Sequence, residues 1–141
     1  MSEQGLEQYR RFMAEVANKG NMAVFDDIIS RDVKEYEKLP PGCTPDYEGI
    51  RRLFTMLRTA FPDLNITIED HLVQGDKVVA RVTLRGTHEG EFLGIAPTGR
   101  KIAYEAIDIS RFVDGKLVEH WGIPDYLTLF QQLGVSRLPG S

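Results

Sequence analysis

Asp108 stands in the run YEAIDISRF, between Ile107 and Ile109. Side chains alternate across a strand, so Asp108 shares a face with Tyr104, Ala106, Ser110 and Phe112. A carboxylate among such neighbours is seldom ornamental, because a charge is costly to bury without a purpose or a partner. One buried carboxylate can take a proton and return it when its surroundings bring its pKa toward neutrality. His120, in VEHWG, shares a strand face with Val118 and Gly122. Asp114-Gly115 lies between the two runs and is a strong short hairpin signal. That hairpin would set the strands side by side and let Asp108 and His120 meet across the pair. A histidine beside a buried carboxylate is a natural proton-transfer partner. The chemistry in view is acid/base catalysis. The plainer alternatives are an exposed Asp108 paired with a neighbouring arginine, and a His120 bonded to main chain.

Other groups offer less. Arg81 either pairs with Asp108 or lines a pocket, unless it is an exposed sheet arginine. Tyr36 has a hydroxyl suited to a substrate carbonyl, and equally the make-up of a core tyrosine with its hydroxyl at the surface. His88 sits in a glycine-rich turn and is expected to be structural; His71 follows acidic residues and is expected to be solvated. No HxxxH or HxH spacing joins the three histidines, so no metal site is expected. Ser30 and Ser110 lack nucleophile-elbow surroundings. Cys43, the only cysteine, lies in the turn-like LPPGCTP with no histidine near it. Gly86, Gly90, Gly94 and Gly99 match neither phosphate-binding spacing, and a strand rather than a helix follows them. A net charge of −4 argues against a nucleic-acid surface. No stretch has signal-peptide or membrane-span character, so a cytoplasmic protein is expected.

These residues need elements to position them. The 141 residues are read as one domain, 1–141. From Glu7 to about Lys19, Phe12, Met13 and Val16 recur at helical spacing, and Gly20 closes the segment. A second short helix is expected over Asn21 to Ile29, and a short strand over Asp32 to Glu37. PPGCTPDY reads as loop. Tyr47 to Ala60 is amphipathic through Ile50, Leu53, Phe54 and Leu57, and stops before Pro62. Then the period changes to two. Ile66 and Ile68 alternate with polar neighbours, a turn falls at Gln74 to Lys77, and Val78, Ala80, Val82 and Leu84 alternate with Val79, Arg81, Thr83 and Arg85. Ile102 to Val113 and Lys116 to Ile123 complete a four-strand meander, and Leu127 to Leu133 is a closing helix with Asp125 as its N-cap. Helices before strands predict an α+β fold: a curved antiparallel sheet wrapped around N-terminal helices, enclosing an apolar pocket.

GTHEGEFLGIAPTGR, IDISRFVDGKLVEHWG and FQQLG, with AFPDLNITIED and GDKVVARVTLRG before them, resemble the SnoaL-like polyketide cyclase family of the NTF2-like superfamily. The resemblance implies an α+β cone with an internal hydrophobic pocket and a homodimer. It also implies an intramolecular aldol ring closure, driven by an acid/base carboxylate without a cofactor. Phe12, Tyr36, Arg81, Phe92 and Tyr104 are then expected to bind a hydrophobic small-molecule substrate, with Asp108 and His120 catalytic. Phe92, Leu93 and Ile95 would fold back as an apolar lip of the pocket, or else cap the core. The outer strand face with Glu119, Trp121 and Ile123 is the expected dimer surface. Two positions depart from the family pattern: Gly122 where members often have Asp after the His-Trp pair, and Tyr36 where they often have His. Either Asp108 serves in place of the usual set, or the fold binds a ligand without turning it over. An epoxide hydrolase built on Asp-Arg-Asp has only Arg81 and Asp108 behind it.

Overall fold

Strict alternation builds the centre of the molecule. The computed structural model describes residues 2–135. β3 (Lys77–Thr87) buries Val78, Ala80, Val82 and Leu84, and β4 (Lys101–Val113) buries Ile102, Tyr104, Asp108, Ser110 and Phe112. β2 (Asn65–Gln74) joins β3 through a turn at Gly75. β4 runs into β5 (Lys116–Pro124) through Asp114 and Gly115, both with positive φ, as a two-residue turn matched to the strand twist requires. Irregular register between Ile68 and Asp70 and between Arg111 and Phe112 marks bulges, which bend strands and deepen the curve of a sheet.

The sheet has five strands where the sequence suggested a meander of four. β1 (Ile29–Glu35) starts three residues before the expected strand and pairs with β5 in parallel, giving the order β1-β5-β4-β3-β2. The sheet is therefore mixed rather than wholly antiparallel. A parallel pair between the first and last strands of a chain is a long-range contact that no local pattern announces.

Helices fill the concave face. α1 (Ser2–Arg11) continues through a wider π-helical turn over Phe12–Ala17, and Tyr9, Phe12, Met13 and Val16 form its buried stripe. A 3-10 turn at Met22–Val24, capped by the Asn21 side chain, leads into α2 (Phe25–Ile28). α3 (Tyr47–Ala60) starts where Asp46 accepts a hydrogen bond from the Gly49 N–H at 3.1 Å, and stops ahead of Pro62. Asp125 caps α4 (Tyr126–Gln132) in the same way through the Thr128 N–H, as expected. No helix among the described residues is long and apolar enough to cross a membrane.

The glycine-rich segment between β3 and β4 is pinned rather than free. His88 is fully buried and its Nδ1 accepts from the Thr98 N–H at 3.2 Å. Gly90 passes so close to the Thr59 carbonyl that a Cβ would collide with it. Phe92 lies between Phe61 and Phe130, with ring centroids 5.5 and 6.5 Å away.

Candidate functional site

The site grows from the β4–β5 pair. Asp108 lies opposite Gly122 and Ser110 opposite His120, so Asp108 and His120 are diagonal neighbours on the concave face. His120 Nε2 is 3.2 Å from Asp108 Oδ2. The other carboxylate oxygen, Oδ1, accepts a hydrogen bond from the Tyr9 hydroxyl at 2.8 Å, delivered by α1. Parallel pairing of β1 with β5 puts Glu35 in register with His120, and His120 Nδ1 lies 2.8 Å from Glu35 Oε1 and 2.9 Å from Oε2. Glu35 Oε1 also accepts the backbone N–H of Glu37 at 2.8 Å. Tyr9, Asp108, His120 and Glu35 thus form one unbroken hydrogen-bonded row, and Glu35 and Asp108 are both buried.

Electrostatics sort these groups. Burial by itself would lower the His120 pKa; hydrogen bonds and charge from Asp108 and Glu35 outweigh it and raise the pKa to about 10. The ring is therefore an imidazolium at neutral pH, with both N–H groups donated to carboxylates. Burial, followed by the charge and hydrogen bond of Asp108, holds the Tyr9 hydroxyl protonated well beyond its ordinary range. Glu37 sits just past the end of β1. Burial is the largest influence on it and raises its pKa to about 7; His120 opposes this, while Glu35 and Asp108 add to it.

The row forms one wall of a cavity between sheet and helices. The cavity volume is about 100 Å³. Phe12, Phe54, Leu57, Ile66, Leu84 and Tyr104 supply apolar walls, while Glu35, Glu37, Asp108 and His120 face them.

The expected residues divide cleanly. Asp108, His120, Phe12 and Tyr104 come together in the cavity. Arg81 does not: it lies on the outer face and donates to Glu105 Oε2 at 2.8 Å, because its strand parity is opposite to that of Ala80, the neighbour of Asp108. An Asp-Arg-Asp array is accordingly not formed by Arg81 and Asp108. Tyr36 is likewise turned outward, half exposed, donating to Glu119 Oε2 at 3.1 Å and stacked on Trp121. Phe92 is buried in the core and does not line this cavity; with Leu93 it lines a separate, more open one beside α3. Tyr9, Glu35 and Glu37 escaped sequence reasoning. Tyr9 was findable, since it continues the stripe of Phe12, Met13 and Val16. In VKEYEK, Val33, Glu35 and Glu37 share one parity and Tyr36 has the other, so an inward Val33 turns both glutamates inward and Tyr36 outward.

The SnoaL-like polyketide cyclase family model matches residues 7–133. The aklanonic acid methyl ester cyclase AcmA of Streptomyces galilaeus is 37% identical over 142 residues, covering 95% of this chain and 92% of that protein. Among solved structures, TsrD from Streptomyces laurentii superimposes with a TM-score of 0.84 at 30% identity, covering 95% of this chain and 97% of the other. IdmH from Streptomyces antibioticus gives 0.81 at 34% identity, covering 94% and 99%. The architecture is the NTF2-like α+β fold that these neighbours share. A chain this similar to named cyclases over nearly its whole length is a cyclase-type enzyme, and it belongs to the SnoaL-like polyketide cyclase family.

Proposed function

We propose that this enzyme closes a ring in a hydrophobic carbonyl compound by cofactor-independent acid/base catalysis, as an intramolecular aldol condensation or a related isomerisation. The observation that carries this proposal is the hydrogen-bonded row Tyr9–Asp108–His120–Glu35 on the wall of an otherwise apolar cavity. Buried charges are costly even when paired, so a row of them facing a cavity is better explained by work than by stability. The names of the relatives supply the substrate class, a polyketide methyl ester such as aklanonic acid methyl ester. The apolar walls of the cavity suit a hydrophobic precursor and would hold the chain folded for closure.

The reaction asks three things of the protein. A base removes a proton beside a carbonyl, leaving an enolate. The enolate carbon bonds to a second carbonyl carbon, and the π pair of that carbonyl moves to its oxygen. The alkoxide then takes a proton, so one proton leaves, one returns, and no electron acceptor is required. The His120 imidazolium places a fixed positive charge in a low-dielectric wall, where the oxygen anions develop, and such preorganised charge is worth far more there than in water. Asp108 and Glu35 keep the ring oriented and charged, and the Tyr9 hydroxyl holds Asp108 in place.

Aklanonic acid methyl ester, with ring closure followed by chromatography, tests the proposal. Asp108→Asn and His120→Gln should each lower turnover on the order of 10²–10⁴-fold while leaving ester binding nearly intact. The double variant should be hardly worse than either single, because groups acting as one unit are not additive. Unchanged turnover in both single variants would remove the proposal.

A further inference from the structure

We propose that Glu37 is the base that takes the substrate proton, and that Gly122 is the residue that makes room for it. This inference rests on the cyclase reading above and names the group that reading leaves open. Within the cluster, every other ionisable side chain is already engaged. Asp108 accepts from Tyr9 and meets His120, Glu35 meets His120 and accepts the Glu37 N–H, and both His120 nitrogens face carboxylates. The Glu37 side chain lines the same cavity and makes no hydrogen bond to any described residue. A general base works best when its oxygens are not already held by other donors, and of the three carboxyl groups in the cluster Glu37 alone has neither oxygen hydrogen-bonded to a described residue.

Its position depends on a missing side chain. Gly122 lies on the concave face of β5, opposite Asp108. A Cβ built there would run into Glu37 Oε1, and would stand 3.1 Å from Glu37 Cδ and 3.1 Å from His120 Cε1. Gly122 does not have the positive φ that favours glycine, so backbone conformation does not demand glycine here. The space a β5 side chain would fill is taken instead by the Glu37 carboxylate, which reaches over from the end of β1. Burial also raises the Glu37 pKa to about 7, near the pH at which a base works best, which agrees with the geometry.

The step balances. Glu37 carboxylate takes the proton and the C–H pair becomes the enolate; the enolate forms the C–C bond; the alkoxide recovers the proton from the Glu37 carboxylic acid. Beside it, the positive charge of the His120 ring acts on the negative oxygen through space, its N–H groups remaining on Asp108 and Glu35.

Glu37→Gln keeps the shape and removes the exchangeable proton site. With aklanonic acid methyl ester, kcat should fall on the order of 10²–10⁴-fold with KM little changed, and the rise of the wild-type rate near pH 7 should disappear. Circular dichroism checks that the variant is folded. A second variant, Glu37→Ala with Gly122→Asp, empties that space and returns a carboxylate to it from β5, and should recover part of the rate that Glu37→Ala alone loses. If Glu37→Gln stays within tenfold of wild type while Asp108→Asn and His120→Gln are inactive, the assignment of Glu37 is wrong and the cyclase reading survives. If the wild type does not close this ester, that reading fails for this substrate, and carbon-13 NMR of the Glu37 carboxyl decides the rest. Ionisation near pH 7 that moves when the ester is added upholds Glu37; ionisation at the ordinary carboxylate value of 4.5 overturns it.

Discussion

Replacing His120 by Gln tests the electrostatic account of the site without any substrate. Its side chain is 15% exposed, between Glu35 at 3% and Asp108 at 10%. Glutamine keeps much of the ring's bulk and can hydrogen bond, but it leaves two buried carboxylates without their shared cation. Breaking a buried ion pair by removing one partner typically costs about 3–5 kcal/mol. The raised pKa arises from the same contacts and gives a figure of the same order. A rise from 6.5 to about 10, at roughly 1.4 kcal/mol per unit, corresponds to about 5 kcal/mol. The sign follows from the direction of the shift. A group whose pKa is raised on folding contributes stability fully present below 6.5 and lost as pH climbs through about 10. Equilibrium urea unfolding of wild type and His120→Gln at pH 6 and pH 10 reads this directly. The variant should be less stable by about 3–5 kcal/mol at pH 6, and the gap should shrink to about 1 kcal/mol or less at pH 10. A variant as stable as wild type at pH 6, or a gap that is the same at both pH values, would refute the argument that His120 is held as a cation between two carboxylates.

Phe92→Ala should lower stability by about 3–5 kcal/mol, as removal of a fully buried phenylalanine does. Because Phe92 packs on Phe61 and Phe130 away from the cavity, ester affinity should hardly change; weakened affinity at unchanged Tm in a thermal melt would restore the lip. We also expect a homodimer that covers the outer sheet face, where Ile123 is 80% exposed, Ile107 is 54% exposed and Trp121 stacks on Tyr36. Light scattering at micromolar concentration that returns the mass of one chain ends that expectation.

Local chemistry determined much of this molecule. Period-two alternation assigned faces to β3 and β4, and the Asp114-Gly115 turn made β4 and β5 a hairpin. The turn alone would set Asp108 opposite Trp121; the bulge between Arg111 and Phe112 shifts β5 by one residue and brings His120 to the face of Asp108. Asp125 as an N-cap and the end of α3 before Pro62 were equally local. The outward position of Arg81 was also legible, since it alternates with Val78, Ala80 and Val82.

The rest was decided by tertiary structure. β1 carries Arg, Asp, Lys and Glu on a short strand, so its own sequence scarcely distinguishes an inner from an outer face. That choice is made by parallel pairing with β5, some ninety residues away, which turns Glu35 toward His120 and Tyr36 toward Trp121. Tyr9 became part of the site only because α1 lies across β4 in the concave face. Phe92 could have faced the cavity or the core, and its contacts with α4 and Phe61 settled which. Gly122 is the sharpest case. As one residue in a strand it looks like a missing acid, whereas in three dimensions its empty side-chain position is taken by the carboxylate of Glu37. A sequence specifies which groups exist and how each strand presents them, but the convergence of groups from α1, β1, β4 and β5 is a property of packing, where long-range contacts choose among faces that local propensity leaves nearly equal.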